Sequence, residues 1–270
     1  MLTIILCGGK GTRIRDVTEE IPKPLIEIGS KALVHHIMDH YAKFEEKDFI
    51  LALGYKADKF FDYCINAFGS VWYPFKAKTF KLTEKVTNEI GYDIKLLDTG
   101  LETNTGGRFI KIIQKLWKEN ETPRNIGLTY GDGVTDLDIS KLKAFHDKHD
   151  KIGTVSLVRP KNKYGIFTVK EQGLAKTQDD NIPLGLALKF EEKPQMKEWA
   201  NGGFMIFRLN DNFMLKMLDF HYNVSLEKDI IPTLVEQQEI MCYQHQGYWQ
   251  NMDTLSEYNK LQADYKEGKF

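Results

Sequence analysis

The strongest constraint in this 270-residue chain lies at its start. Thr3-Ile4-Ile5-Leu6-Cys7 is a short apolar run, and Gly8-Gly9-Lys10-Gly11-Thr12-Arg13 follows at once. An apolar run of that length, stopped by glycines, predicts a buried strand that feeds a loop. Gly8, Gly9 and Gly11 let backbone N–H groups come close to an anion, because no Cβ stands in front of them. Lys10 and Arg13 add charge to the loop and Thr12 a hydroxyl. Pro22-Lys23-Pro24 then holds a lysine between two residues of fixed φ. A strand, an anion cradle and a stiffly held lysine predict a triphosphate site. A Walker A loop would need Ser or Thr after Gly9-Lys10, where Gly11 stands; a dinucleotide fingerprint placed on Gly9 and Gly11 would need Gly or Ala in place of Ile14. The competing reading is a turn that only connects two elements, and three basic side chains in one stretch weigh against it.

The length suits one large α/β domain or two small ones, with enough chain to bury a core. A net charge of -1 argues against a general polyanion binder, so phosphate recognition has to be local and no nucleic-acid partner is expected. Cys7, Cys64 and Cys242 form no CxxC pair, which points to neither a zinc site nor a disulfide framework and is consistent with a reducing cytoplasm. The first apolar run is too short for a signal peptide, and no stretch reaches a membrane-spanning length. A cytoplasmic protein with no membrane partner is expected.

Leu33, Ile37, Tyr41 and Phe44 mark a helix face, Phe49 to Leu53 a second strand, and Phe60, Phe61, Cys64, Ile65 and Phe68 a second helix. That alternation predicts parallel strands joined by right-handed crossovers. Residues 70–97 break it: they are aromatic and mixed, and predict a β arm standing off the main sheet. Helical spacing returns at Phe109, Ile112, Ile113 and Leu116. Ile126 to Tyr130, Thr154 to Val158, Ile166 to Val169, Ala187 to Glu191, Phe204 to Phe207 and Met241 to Gln244 read as strands. Leu142 to Lys148, Phe213 to Leu218, Leu226 to Glu236 and Leu255 to Tyr265 read as helices. The polar stretch Gln172 to Pro183 predicts an exposed turn. No repeat or linker appears. The expectation is a single α/β domain over residues 1–270, with a mostly parallel mixed sheet flanked by helices and an elaborated C-terminal half whose residues 150–250 bind the acceptor.

Several other stretches could carry chemistry. Gly131-Asp132-Gly133 ends a strand, where open parallel sheets bind ligands; it is either an Asp-Gly turn or an acid kept uncrowded for a metal or phosphate. Asp253 offers a second carboxylate, and magnesium takes one or two of these beside phosphate oxygens and water. Lys193 could grip a phosphate and Glu192 accept sugar hydroxyls, or both belong to a solvated charge run. Asn201-Gly202-Gly203 is a polar contact or a turn. Arg108, near a helix start, is electrostatically poor there; a ligand or a surface location would explain it. His36 and His40, like His146 and His149, lack a zinc motif and read as packing or surface residues. Ser225 and Ser256 have no nucleophile-elbow context, so a covalent mechanism has no support.

These pieces in combination resemble the sugar-1-phosphate nucleotidylyltransferases, through Gly8 to Arg13 and Pro22-Lys23-Pro24. Asp98-Thr99-Gly100, Thr105-Gly106-Gly107-Arg108, Tyr130 to Ile139, Glu192-Lys193-Pro194, Asn201 to Phe204 and Gly247 to Thr254 resemble the glucose-1-phosphate cytidylyltransferase branch, from the N-terminus to about Lys260. The resemblance implies a Rossmann-like mixed sheet, CTP and a sugar 1-phosphate as substrates, Mg²⁺, and a homo-oligomer whose contact is the arm. It places Leu6, Cys7, Gly8, Gly9, Lys10, Gly11, Thr12, Arg13, Lys23, Thr103, Arg108 and Gly131 at the nucleotide, and Asp132 and Asp253 at the metal. Arg13, Lys23 and Asp132 would be catalytic. Lys193 would bind the sugar phosphate, with Glu192, Asn201 and Gly165 near the sugar. Lys10 stands where relatives often carry an apolar residue, and Asn251 where proline is common. A different phosphorylated acceptor, a silent nucleotide sensor and an NTP hydrolase are the competing readings.

Overall fold

The structure, a computed structural model, describes residues 1–11, 20–68, 79–81, 91–176, 181–218 and 220–270. Thr12, Arg13 and most of the predicted arm lie outside the described residues. The strands are β1 (Thr3–Leu6), β2 (Glu27–Ile28), β3 (Lys31–Ala32), β4 (Asp48–Leu53), β5 (Thr79–Lys81), β6 (Asp93–Asp98), β7 (Asn125–Tyr130), β8 (Gly133–Thr135), β9 (Gly153–Val158), β10 (Ile166–Lys176), β11 (Asn181–Glu191), β12 (Ala200–Arg208), β13 (Ile240–Gln244) and β14 (Trp249–Asn251). The α-helices are α1 (Leu33–Ala42), α2 (Ala57–Phe68), α3 (Thr105–Lys118), α4 (Ile139–Asp147), α5 (Asp211–Leu218), α6 (Ile231–Glu236) and α7 (Leu255–Lys266).

The chain forms two compact units, Met1–Leu157 with Asn201–Phe270, and Val158–Ala200. Among the described residues the first unit's sheet has the order β13-β9-β12-β7-β1-β4-β6-β5. β1 pairs in parallel with β4 and β7, β4 with β6, and β9 with β13; β12 runs antiparallel to β7 and β5 to β6. This is the expected mostly parallel mixed sheet. β1 is buried along its whole length because helices cover both faces, as parallel strands require. Ile5 and Leu51 join one core layer with Leu33, Ile37 and Phe60 of α1 and α2. Ile4, Leu6, Ile50 and Ala52 join the other with Phe109, Ile112 and Ile113 of α3. The period of two along the strands and the helical spacing above and below thus meet in two layers.

Two expectations are corrected. Asp93–Asp98, read as part of the arm, is a strand of the main sheet parallel to β4. Its alternation of buried Ile94 and Leu96 with more open neighbours is the reason: one face packs on the core. The polar stretch 172–183 is likewise strand at both ends, in β10 and β11, and residues 177–180 lie outside the described residues.

The second unit is the antiparallel pair β10–β11 with its flanking turns. Phe167 faces Phe190 across the pair, with ring centroids 4.8 Å apart. The Arg159 guanidinium lies 4.2 Å from the Trp199 ring centre.

Candidate active site

β1 is the point where the sheet order reverses, since β4 lies on one side of it and β7 on the other. Open α/β sheets bind ligands beyond the carboxyl ends of strands at such a point. A cavity of about 310 Å³ lies there, lined by Leu6, Cys7, Gly8, Gly9 and Gly11 after β1, by Lys23 and Pro24, by Thr103, Asn104, Thr105 and Arg108 at the start of α3, by Tyr130, Gly131 and Asp132 after β7, and by Asp253. Its size is that of a small-molecule site. Of the predicted nucleotide and metal residues, the described ones converge on this cavity except Lys10, whose half-exposed ammonium pairs with Glu102 at 2.9 Å. Pro24, read above only as a support for Lys23, lines it too, as do Asn104, Thr105 and Tyr130, to which no individual role was assigned above.

The two acids, 121 positions apart in sequence (253 − 132), meet through a short ribbon. β14 pairs antiparallel with β8, Asn251 opposite Gly133. Asp132 directly precedes β8 and Asp253 follows β14 by one residue, so both emerge at the same end, and Met252 N donates to Asp132 O at 2.8 Å. Lys23 Nζ donates to Asp132 Oδ2 at 2.8 Å and to Asp253 Oδ1 at 2.6 Å. Burial opposes the charge of Lys23, but the two carboxylates outweigh it and its pKa is raised. Lys23 sits in a short 3₁₀ turn, Lys23–Leu25, that begins after Pro22 and contains Pro24, so the prolines fix its backbone as the sequence suggested. Around Asp253, Asn251 Nδ2 donates to Oδ2 at 2.9 Å, and the Asp253 N–H donates to Glu257 at 2.7 Å.

Arg108 is neither a surface residue nor aimed outward. It is buried, and its guanidinium donates to the carbonyls of Leu53 (2.7 Å), Gly100 (2.9 Å) and Gly8 (3.0 Å) and to the Thr99 hydroxyl. It therefore ties the glycine loop to the ends of β4 and β6. Gly8 is glycine for that reason, since a Cβ there would lie 2.1 Å from the guanidinium carbon. Gly9 differs: a Cβ on it would meet no atom within 4 Å, so packing does not require a glycine there. A loop that must let a ligand reach its backbone does. Cys7 is fully buried, and burial pushes its thiol well above the ordinary range, which leaves it protonated and not a nucleophile.

A cluster of hydroxyl and carboxylate groups borders the cavity. Glu227 accepts from Tyr130 Oη at 2.6 Å, and from Thr105 Oγ1 and Ser225 Oγ at 2.7 Å each. Burial acts to raise the Glu227 pKa, but these hydroxyl donors outweigh it and the group is held below the ordinary glutamate value. Burial, then Glu227, raises the pKa of Tyr130, which also hydrogen-bonds Asn201.

Of the four acceptor candidates, Asn201 belongs to the first unit, where its Oδ1 accepts from Gly203 N at 2.8 Å. Gly165, Glu192 and Lys193 belong to the second. There a Cβ on Gly165 would lie 2.4 Å from the Phe190 ring, and exposed Lys193 stands 3.6 Å from Glu192 with φ at 46°. His36 and His40 are packing residues, each with its Nε2 on a backbone carbonyl, Ile28 at 2.8 Å and Leu137 at 2.7 Å.

A glycine loop, a lysine and two carboxylates gathered at the switch point of a Rossmann-like sheet define an α/β protein built to hold a polar, anionic ligand. The chain belongs to the nucleotidyl transferase family, which matches residues 2–268, and it is a nucleotidyltransferase enzyme. It is 33% identical over 273 residues to the glucose-1-phosphate cytidylyltransferase of Salmonella typhi, covering 100% of this chain and 97% of the relative. It is 33% identical over 276 residues to a probable glucose-1-phosphate cytidylyltransferase of Bacillus subtilis, covering 97% and 96%. Among solved structures, HddC from Yersinia pseudotuberculosis complexed with GMP-PN superposes with a TM-score of 0.64 at 20% identity, over 98% of this chain and 99% of that one. The inositol-1-phosphate CTP transferase from T. maritima gives 0.63 at 15%, over 100% and 97%. At these identities the structures speak for the fold.

Proposed function

We propose that the protein transfers a cytidylyl group from CTP to a sugar 1-phosphate, glucose 1-phosphate, and releases pyrophosphate. Full-length similarity to glucose-1-phosphate cytidylyltransferases supports the substrates. The observation that carries the chemistry is the single ammonium of Lys23 held between the carboxylates of Asp132 and Asp253 in the glycine-lined cavity.

A phosphate oxygen of the acceptor attacks the α-phosphorus of CTP in line. The new P–O bond forms as the bond between the α-phosphorus and the bridging oxygen breaks, and that oxygen leaves with pyrophosphate. The nucleophile is already anionic near neutral pH, so the reaction needs positioning and charge neutralisation rather than a strong base. Lys23 offsets charge on the triphosphate, and Arg13 shares that role. Gly9 lets the backbone reach the phosphates, and Arg108 keeps the loop in shape from behind. The donor set suits magnesium, a hard cation that takes one or two carboxylates beside phosphate oxygens and water: two carboxylate oxygens already converge on one cation, the Lys23 ammonium. Asp132 and Asp253 would hold the ion, which when bound stabilises developing negative charge on phosphate oxygens.

The test is pyrophosphate release with CTP, UTP, dTTP, ATP and GTP, each against a panel of sugar 1-phosphates and other phosphorylated acceptors. CTP with glucose 1-phosphate is expected to give the highest kcat/KM, by at least about tenfold, the scale of one net hydrogen bond. A faster reaction with another nucleotide overturns the CTP assignment, and a faster one with another acceptor overturns glucose 1-phosphate.

A further inference from the structure

The segment from Tyr222 to Ile230 crosses the first turn of α3 at unusually close range. A Cβ on Gly107 would lie 1.7 Å from the Tyr222 carbonyl oxygen, and one on Gly106 would lie 2.9 Å from Ile230 and 3.0 Å from the Leu226 nitrogen. The two glycines thus serve backbone-to-backbone packing. Gly107 N donates to Val224 O at 3.1 Å, and Leu226 N donates to Thr105 Oγ1 at 2.9 Å. The segment then makes a π-helical turn, Leu226–Ile230, capped by Ser225. Such turns are rare and tend to occur at functional sites, because they redirect one side chain. Here the turn carries Glu227 toward the cavity rim, where it takes the hydroxyls of Tyr130 and Thr105 on its two carboxylate oxygens.

We propose that Glu227 is a positioning residue that fixes the spacing of two walls of the nucleotide cavity. One wall is the end of β7, where Tyr130 stands two residues before Asp132. The other is the start of α3, where Thr105 stands one turn before Arg108. Both Tyr130 and Thr105 line the cavity, whereas Glu227 is not among its lining residues. Three hydroxyl donors occupy its carboxylate, Thr105 and Ser225 on Oε2 and Tyr130 on Oε1, while its own backbone N–H donates to Ser225 Oγ at 3.2 Å, so most of its hydrogen-bonding capacity is used inside the protein. No described lysine or arginine forms an ion pair with it. A carboxylate so placed acts through the groups it holds and does not need to touch the nucleotide.

This rests on the cavity being the nucleotide site of the nucleotidyltransferase, and not on CTP or glucose 1-phosphate being the substrates. The test is calorimetric titration of wild type, Glu227→Gln, Tyr130→Phe, Thr105→Val and Thr105→Ser with the nucleoside triphosphate that wild type binds best. Glu227→Gln keeps the shape but replaces one acceptor oxygen with a donor group. It is expected to weaken binding about tenfold, the scale of a charge-assisted hydrogen bond. Thr105→Val is expected to weaken it similarly, and Thr105→Ser, which keeps the hydroxyl, to stay within about twofold of wild type. The Glu227→Gln, Tyr130→Phe double variant is expected to be no weaker than Glu227→Gln alone within about twofold, because both remove one linkage. Multiplying effects in the double variant, or wild-type affinity in Glu227→Gln and Thr105→Val, overturns the proposal. Should Glu227→Gln fail to fold, the Thr105→Val, Tyr130→Phe double variant takes its place: an affinity within about twofold of the weaker single variant supports a shared linkage through Glu227, and multiplying effects overturn it. A wild type that binds UTP or ATP best defeats the CTP assignment and leaves the role of Glu227 to be read from the same variants.

Discussion

Lys23 holds two carboxylates that would repel each other without it. It is nine-tenths buried, with 10% of its side chain exposed, so its charge acts in a medium far less screening than water. Lys23→Ala removes the fixed cation from the triphosphate's neighbourhood, and Asp132→Asn removes one of the two acids. Each is expected to lower turnover at least about a hundredfold, the scale of losing one electrostatic stabiliser. Near-normal pyrophosphate release from either purified variant would refute the assignment. At this scale much was legible from the sequence, because proline on both sides of a lysine fixes its backbone, and glycine on both sides of an aspartate leaves its carboxylate uncrowded. Glu227 was not legible. A glutamate near a helix start is common everywhere, and only the folded chain shows three hydroxyls aimed at it. Arg108 was legible as unusual but not as buried, since its acceptors are carbonyls of Gly8, Leu53 and Gly100, which sequence does not distinguish from any others.

Secondary-structure elements with a strong apolar signal were readable: the unbroken run Phe49 to Leu53 of β4 and the apolar face of α3 both mark the two-layer core. The element that assembles the site was not. β8 and β14 are three residues each, too short for any periodicity, yet their pairing carries Asp132 to Asp253. The Gly106-Gly107 pair stood out only as part of a motif that carries the family resemblance. It lets the Tyr222–Ile230 segment lie on α3. Gly107→Ala tests this packing at the scale of the element. Helix propensity alone would make alanine the better residue by about 1 kcal/mol. The Cβ, however, would sit 1.7 Å from the Tyr222 carbonyl oxygen, which is backbone and cannot rotate away. Segment and helix have to part, and the bond from Gly107 N to Val224 O goes with them. The variant is expected to lose about 2 kcal/mol or more of stability in denaturant unfolding, in the range of overpacked core substitutions. A variant as stable as wild type, or more so, would mean that propensity wins and the contact is slack.

For the molecule as a whole, the pH dependence of stability follows from histidines placed on the inner side of its helices. His40 of α1 and His146 of α4 are buried, at 8% and 0% exposure. Burial lowers the pKa of each to about 4, and Arg208 adds to the effect at His146. His146 Nδ1 meets Thr154 Oγ1 at 2.8 Å, while its Nε2 has no hydrogen-bond partner among the described residues. A second proton would put a charge into a buried site beside the Arg208 guanidinium. His35 and His36 are shifted downward too, again chiefly by burial. In the unfolded chain a histidine titrates near 6.5. Above that pH neither state binds the proton, and the stability is fully present. As pH falls from 6.5 toward 4 the unfolded chain takes up protons that the native protein refuses, so stability is lost through that window, at up to about 1.4 kcal/mol per pH unit for each histidine. Asp264 adds little there, because Lys260 and Lys269 together with Tyr248 overcome its burial and hold it near 2, so its contribution goes only at still lower pH. The expected melting temperature is flat from pH 8 to 7 and roughly ten degrees lower at pH 5 for a chain of this size. His40→Gln, whose amide nitrogen can take the place of Nε2 as the donor to the Leu137 carbonyl, should flatten the slope between pH 6.5 and 5 even if it lowers the melting temperature throughout. A wild-type curve that stays level to pH 5, or a variant with an unchanged slope, would show that these buried imidazoles do not set the acid limit of the fold.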